Sequence, residues 1–211
     1  MRRRLLQFVG ASCSFATMAE NDLLERFIAS FEKLDDMTGW RGIDQVAWEL
    51  RSGEPDESGQ FDWRPAKTAA DSALLDLLYA RIPMRLPPLC ERLVLSYRWD
   101  QVDLELFRLL PNPPGPDLSG LLAGITGDEA LWEALLPAGY IQFGRGPDVD
   151  HDPVCFDTKA RTKTKDHGIV KIDHEEIYCK DRIKVVATLA LSFEQLVLET
   201  IERAEKKGRA V

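Results

Sequence analysis

The chain has few cysteines, no close pair of them, no long apolar run and no excess of positive charge. Its four cysteines, Cys13, Cys90, Cys155 and Cys179, are widely spaced along 211 residues. Without a CxxC pair, zinc-ribbon and thioredoxin-type motifs are excluded, and no disulfide framework is expected. Cys90 and Cys155 lie in apolar runs, where a free thiol serves as a small core residue. That usage fits a reducing, cytoplasmic compartment. No run of about 18 apolar residues occurs, so no membrane-spanning helix is expected. Lys and Arg number 27 against 35 Asp and Glu, for a net charge of −8. Arg2, Arg3 and Arg4 stand at the very start, so the remainder is more acidic still. Such a body lacks the clustered cations of direct nucleic-acid binding. It suits a partner with a basic surface, although acidity alone also keeps a protein soluble. HExxH, GxSxG and P-loop motifs are missing, as are internal repeats.

With a hydrophobic fraction of 45%, the chain can build a sizeable core. Residues 1–17 read as a disordered tail or a mis-assigned start, because Met18 opens an ordinary cytosolic beginning with a helix behind it. Asn21 or Asp22 can cap that helix, which the stripe Leu23, Leu24, Phe27, Ile28, Phe31 and Leu34 carries to about Leu34. A second, shorter helix is expected around Ile43–Leu50. The polar stretch 52–60 reads as a linker, so 18–60 is expected to be a helical extension and 61–211 the main domain. Within the latter, helices are expected from Thr68 to Arg81 and from Leu89 to Tyr97, with Pro88 in the first turn. Val102–Leu106 alternates like a strand, and residues 117–123 and 128–136 read as short helices. Strands are expected at Tyr140–Phe143, Val154–Phe156, Ile169–Ile172 and Arg182–Ala187. A last helix opens at Ser192, where Ser192 and Gln195 have the capping-box spacing. Helices first, strands later and a closing helix imply an α+β fold with an antiparallel meander.

All three histidines, His151, His167 and His174, fall between Gly139 and Glu176. With Asp148, Asp150, Asp152 and Asp173 they have the donor chemistry of a zinc or iron site. Their spacing matches no helical metal motif, and turn histidines more often cap or face solvent. Asp173, Glu175 and Glu176 invite an acid–base reading, but an Asp at a strand end also accepts N–H groups of a tight turn. No cofactor is expected and no catalytic set stands out. The preferred reading is a protein-binding surface made of Asp148, Asp150, Asp152, Asp157, Asp173, Glu175, Glu176 and Tyr178. Carboxylates on turns can occupy a basic groove that otherwise takes phosphates. Trp99, Trp132, Tyr140 and Tyr178 are the candidate aromatic anchors, Trp132 reading more as core.

Several ordered elements resemble the SUKH superfamily, which includes fungal Smi/Knr cell-wall regulators and bacterial toxin-immunity proteins. They are LLDLLYARIPMRLPPLCERLVLSY, GYIQFGRG, DPVCFD, HGIVKIDHEE and LSFEQLVLETI, spread over roughly residues 65–203. The resemblance implies a bent, mainly antiparallel sheet packed against helices, here with an N-terminal helical extension. It implies no common catalysis. It points to a non-catalytic protein that binds and neutralises a toxin, a basic nuclease domain being the candidate partner. A regulatory scaffold without a toxin is the first alternative, and a metal-dependent hydrolase the second. The extension 20–51 and the insert before Tyr140 depart from the simplest members.

Overall fold

Apolar residues on both faces of the central strands require cover on both sides. The structure is a computed structural model and describes residues 8–35, 46–57, 59, 61–161 and 166–209. The chain opens with α1 (Phe8–Ala29) and the single turn α2 (Phe31–Leu34). A 3-10 turn at Trp48–Leu50 leads into β1 (Arg51–Ser52), which pairs antiparallel with β2 (Asp62–Trp63). Next come β3 (Ala66–Lys67), α3 (Ala73–Tyr79), α4 (Pro88–Ser96) and β4 (Tyr97–Arg98), with β3 paired to β4. The hairpin β5 (Val102–Asp103) and β6 (Arg108–Leu109) precedes α5 (Ser119–Thr126) and α6 (Glu129–Leu135). Then follow β7 (Tyr140–Arg145), β8 (Pro153–Arg161), β9 (His167–Ile172), α7 (His174–Lys180), β10 (Val185–Ala190) and α8 (Phe193–Lys207). The fold is α+β. Its main sheet is an antiparallel meander of six strands in the order β10-β9-β8-β7-β6-β5.

Side chains alternate across a strand, and here the alternation separates two cores. Ile141, Phe143, Val154, Phe156 and Ile169 join the larger one with residues of α1, α4 and α8. Tyr140, Cys155, Val170 and Ile172 join the smaller one with Leu131 and Leu135 of α6 and Ile177 of α7. Bulges interrupt the pairing of β7 with β8, β8 with β9, and β9 with β10; each adds local bend and twist. Gly144 is required at the first. A Cβ there would lie 2.8 Å from both the Arg108 carbonyl oxygen and the Phe107 ring.

Phe193 joins the layers. Its ring meets Phe27 of α1 at 6.4 Å, Phe143 of β7 at 6.0 Å and Phe156 of β8 at 5.6 Å between centroids. Its backbone N–H donates to buried Asp166 at 3.0 Å. The same carboxylate accepts from the N–H groups of His167 and Glu194. Ser192 caps the helix by accepting from the Gln195 N–H at 3.0 Å. The return arm of the expected capping box differs: Gln195 accepts from the Leu191 N–H instead.

The N-terminal half departs from expectation. Helix α1 already runs from Phe8, so Asn21 and Asp22 lie inside it, and the expected tail 1–17 is described only from residue 8 onward. Of the expected second helix, residues 43–45 lie outside the described residues and Trp48–Leu50 is a 3-10 turn. On either side of the expected linker Arg51 and Ser52 pair with Trp63 and Asp62, and Leu24, Phe27, Leu50 and Trp63 share one core with Phe193. Thr68 caps nothing, because the strand pairing of β3 occupies its neighbours and the helix starts at Ala73. Pro88 does occupy the first turn of α4.

Replacing Phe193 with Ala removes the ring that three elements share. Equilibrium urea unfolding is expected to show a loss of about 3–5 kcal/mol. A loss within the range of an exposed substitution would contradict this account of the core.

Candidate functional site

The β7–β8 corner and the first turn of α7 bring several of the expected residues together. The corner is built on Gly146, where a Cβ would fall 2.1 Å from the Asp150 carboxyl carbon. Only a glycine leaves room for that carboxylate to fold back. Asp150 then accepts from the Asp152 N–H at 2.9 Å and from Lys171 Nζ at 2.8 Å. Asp148 takes a left-handed backbone with φ of 52°. Its N–H donates to Asp103, and its carbonyl accepts from Arg108. The corner is therefore pinned to the β5–β6 hairpin on one side and to β9 on the other.

Asp152 and His174 form the centre. Asp152 Oδ1 accepts from the His174 backbone N–H at 3.0 Å and lies 2.7 Å from its ring Nδ1. With a carboxylate as acceptor, it is Nδ1 that donates its N–H, which fixes the orientation of the ring. Beside it the rings of His151, His174 and Tyr178 form a row, with centroid separations of 6.0 and 6.1 Å and both interplanar angles at 83°. Tyr178 is 49% exposed and donates to Asp128, the cap residue of α6. Burial, then the bond to Asp128, pushes its phenol pKa up to about 12. Val149, at the tip of the corner, is 86% exposed.

The remaining expected carboxylates serve the fold. Asp173 caps α7 by accepting from the Glu176 N–H at 3.1 Å, and it pairs with Lys184 at 3.1 Å. Glu176 is 7% exposed and pairs with Lys180, Arg182 and Lys184. As a surface carboxylate it is a correction to the sequence reading: its charge is spent inside the chain. Asp157 is half-buried and lies apart from the corner, within β8 opposite Tyr140, four residues beyond Pro153 and so roughly 13 Å along the strand. There it accepts from the Lys159 N–H beside a bulge. Glu175 is exposed. Asp148, Asp150, Asp152, Glu175 and Tyr178 thus share the region of the corner and α7, whereas Asp157 does not.

Of the seven donors read as a metal set, His167 lies apart from the other six. His167 is buried on another part of the sheet, where Nε2 donates to the Arg85 carbonyl at 3.0 Å. Among the described residues, no three His, Cys, Asp or Glu side chains are grouped to hold an ion. Of the aromatic anchors, Trp99 is 1% exposed and donates to the Leu110 carbonyl, and Tyr140 is buried; both are core. Cys90 and Cys155 are buried free thiols, each with its pKa raised by burial. Among the described residues no helix is long and apolar enough to cross a membrane. A scan against family models finds no match to the chain, and a search of curated proteins finds no relative.

The sequence reading missed α7 itself. Asp173-x-x-Glu176 before Ile177 was the available signal, a cap followed by an acidic residue three positions on. The cations that hold the carboxylates left no such signal, because Lys171 stands inside an apolar strand and Lys184 directly before another.

These pairings fix the response to pH. For Asp150, burial pushes the carboxyl up, but the Lys171 bond, the Asp152 N–H and nearby positive charge outweigh it, and its pKa lies below the ordinary value. Asp173 is lowered by Lys184 first, and Glu176 by Lys180 and then Arg182. Lys171 is raised, chiefly by its bond to Asp150. Lowered carboxyls stabilise fully above their unfolded values and lose that contribution as pH falls through the folded ones. A raised ammonium contributes fully below its unfolded value and loses it as pH rises through the folded one. Thermal melts should therefore hold level near neutrality and fall below about pH 4. Lys171→Met should show a smaller acid drop than the parent; equal drops would mean the Asp150 pair is not coupled to folding.

Proposed function

We propose that this protein acts by binding another protein, without catalysis, through the surface formed by the β7–β8 corner and α7. The fuller reading is a cytoplasmic immunity protein that neutralises a toxin with a basic active groove. The observation that carries it is the ring row His151–His174–Tyr178, with His174 held by Asp152, Tyr178 held by Asp128, and exposed Val149 and Glu175 beside it. Interface energy concentrates in such rigid aromatic groups, with charges at the rim setting orientation and encounter rate. The acidic chain as a whole supports the sign of the partner. The buried free thiols support the compartment, and the resemblance to the SUKH superfamily supports the biological role.

One observation favours a hydrolytic alternative. His174, oriented by Asp152, has the first two members of a general-base arrangement. Among the described residues no hydroxyl or thiol bonds to its Nε2. A hydrolytic reading would require turnover that His174→Gln abolishes in folded protein.

The binding proposal is tested by titrating the purified protein, in a calorimeter, with the products of the genes adjacent to its own. One of them, a basic domain, should bind at 1:1 stoichiometry and lose its toxicity on binding. Tyr178→Ala should weaken that complex by about 2 kcal/mol or more, and Glu175→Lys should slow association. No complex with any adjacent product, or a complex indifferent to both changes, would reject the proposal.

A further inference from the structure

The main sheet ends at β10, which has β9 on one side and no strand on the other among the described residues. An edge strand presents unpaired N–H and C=O groups, and proteins commonly guard such edges with charges, proline or bulges. From Val185 to Leu191 this edge reads VVATLAL, with no charge, no proline and no glycine. Val185 and Val186 are each 42% exposed, Thr188 is exposed and Leu191 is 72% exposed. Leu198 on the adjoining α8 is exposed as well. The one guard present is a pair of bulges, between Val185 and Ala187 and between Thr188 and Ala190. They leave Ala187 and Thr188 as the regular centre, so a partner strand can form only a short ladder and the exposed side chains must supply the rest of the contact.

Charge identifies the partner. The segment leading into the strand carries Lys180, Arg182 and Lys184 against Asp181. Their side chains are half-exposed or more even while they hold Asp173 and Glu176. The segment after the strand carries Glu194 and Glu199 and no cation as far as Glu202. Two copies related by a twofold axis near Ala187–Thr188 run antiparallel, and each basic start then meets the other copy's acidic end. Symmetry satisfies the match twice with one surface, whereas a parallel arrangement would set like charge against like.

We propose that the outer edge of β10 pairs antiparallel with β10 of a second copy of this chain, forming a reversible homodimer. The contact is smaller than a standard stable interface, so association in the range of about 10–100 μM is expected. It uses a different face from the corner proposed above, and either can fail without the other.

Sedimentation equilibrium of the full chain across that range should show the mass rising from one copy to two. Val186→Lys and Thr188→Lys, at separate exposed positions, should each raise the dissociation constant tenfold or more, with circular dichroism confirming that the fold is kept. Two variants are used so that a folding defect in one leaves the other to decide. Glu194→Lys separates local matching from overall charge. It makes the acidic chain less repulsive as a whole, yet sets a cation against the basic start of the second copy. Weaker association with Glu194→Lys supports the arrangement. A parent that stays monomeric, a dimer untouched by a folded edge variant, or a Glu194→Lys dimer as tight as or tighter than the parent would overturn it.

Discussion

The structure depends on where one buried carboxylate receives a helix. Asp166 stands at the start of β9 and accepts the N–H groups of Phe193 and Glu194, the first residues of α8. Helix N-termini leave such donors unsatisfied and favour negative charge. A carboxylate supplied by a strand therefore fixes the helix to the sheet as well as capping it. The position of Phe193 follows, and with it the packing of α1, β7 and β8 against a single ring. Ser192 adds a local cap, whereas Asp166 sets the start of the helix relative to a distant strand.

This division between local and distant causes explains what was legible in the sequence. The strands β7 to β9 could be read because their apolar residues are continuous or alternate within a few positions. The start of α8 could be read because its cap is local. The Asp166 bond joins residues 27 apart and left no pattern. Local pattern also misled. The alternation from Val102 to Leu106 suggests one strand, but Glu105 adopts a φ of 65° and the chain reverses into the β5–β6 hairpin. The polar stretch 52–60 has linker composition, yet the strands on its two sides pair with each other and their neighbours are buried in the common core.

The candidate site was legible in position and not in chemistry. Sequence placed acidic residues around the β7–β8 turn and after β9, and there they are. It could not show that Lys171, Lys180, Arg182 and Lys184 return to neutralise them. A paired carboxylate contributes little field beyond the pair, so the negative surface is smaller than the residue count implies. What the pairing provides instead is rigidity. Gly146, Asp150 and Lys171 hold the corner, and Asp152 holds His174, so the central ring of the row has little freedom left.

Helix α7 ties this corner to the far edge of the sheet. Its first residue, His174, belongs to the ring row. Its last turn closes through Asp181, in the left-handed region with φ of 48°, and the Arg182 N–H returns to the Glu176 carbonyl at 3.1 Å. The Glu176 side chain then holds Lys180, Arg182 and Lys184 at the entry to β10. One seven-residue helix thus carries two rings of the row and leads directly into the cations beside the exposed edge. The helix is braced at both ends by carboxylates that the sequence alone had assigned to a partner. Asp173 and Glu176 do not reach outward: one caps the helix and the other holds the cations that follow it, so both fix the element that carries His174 and Tyr178.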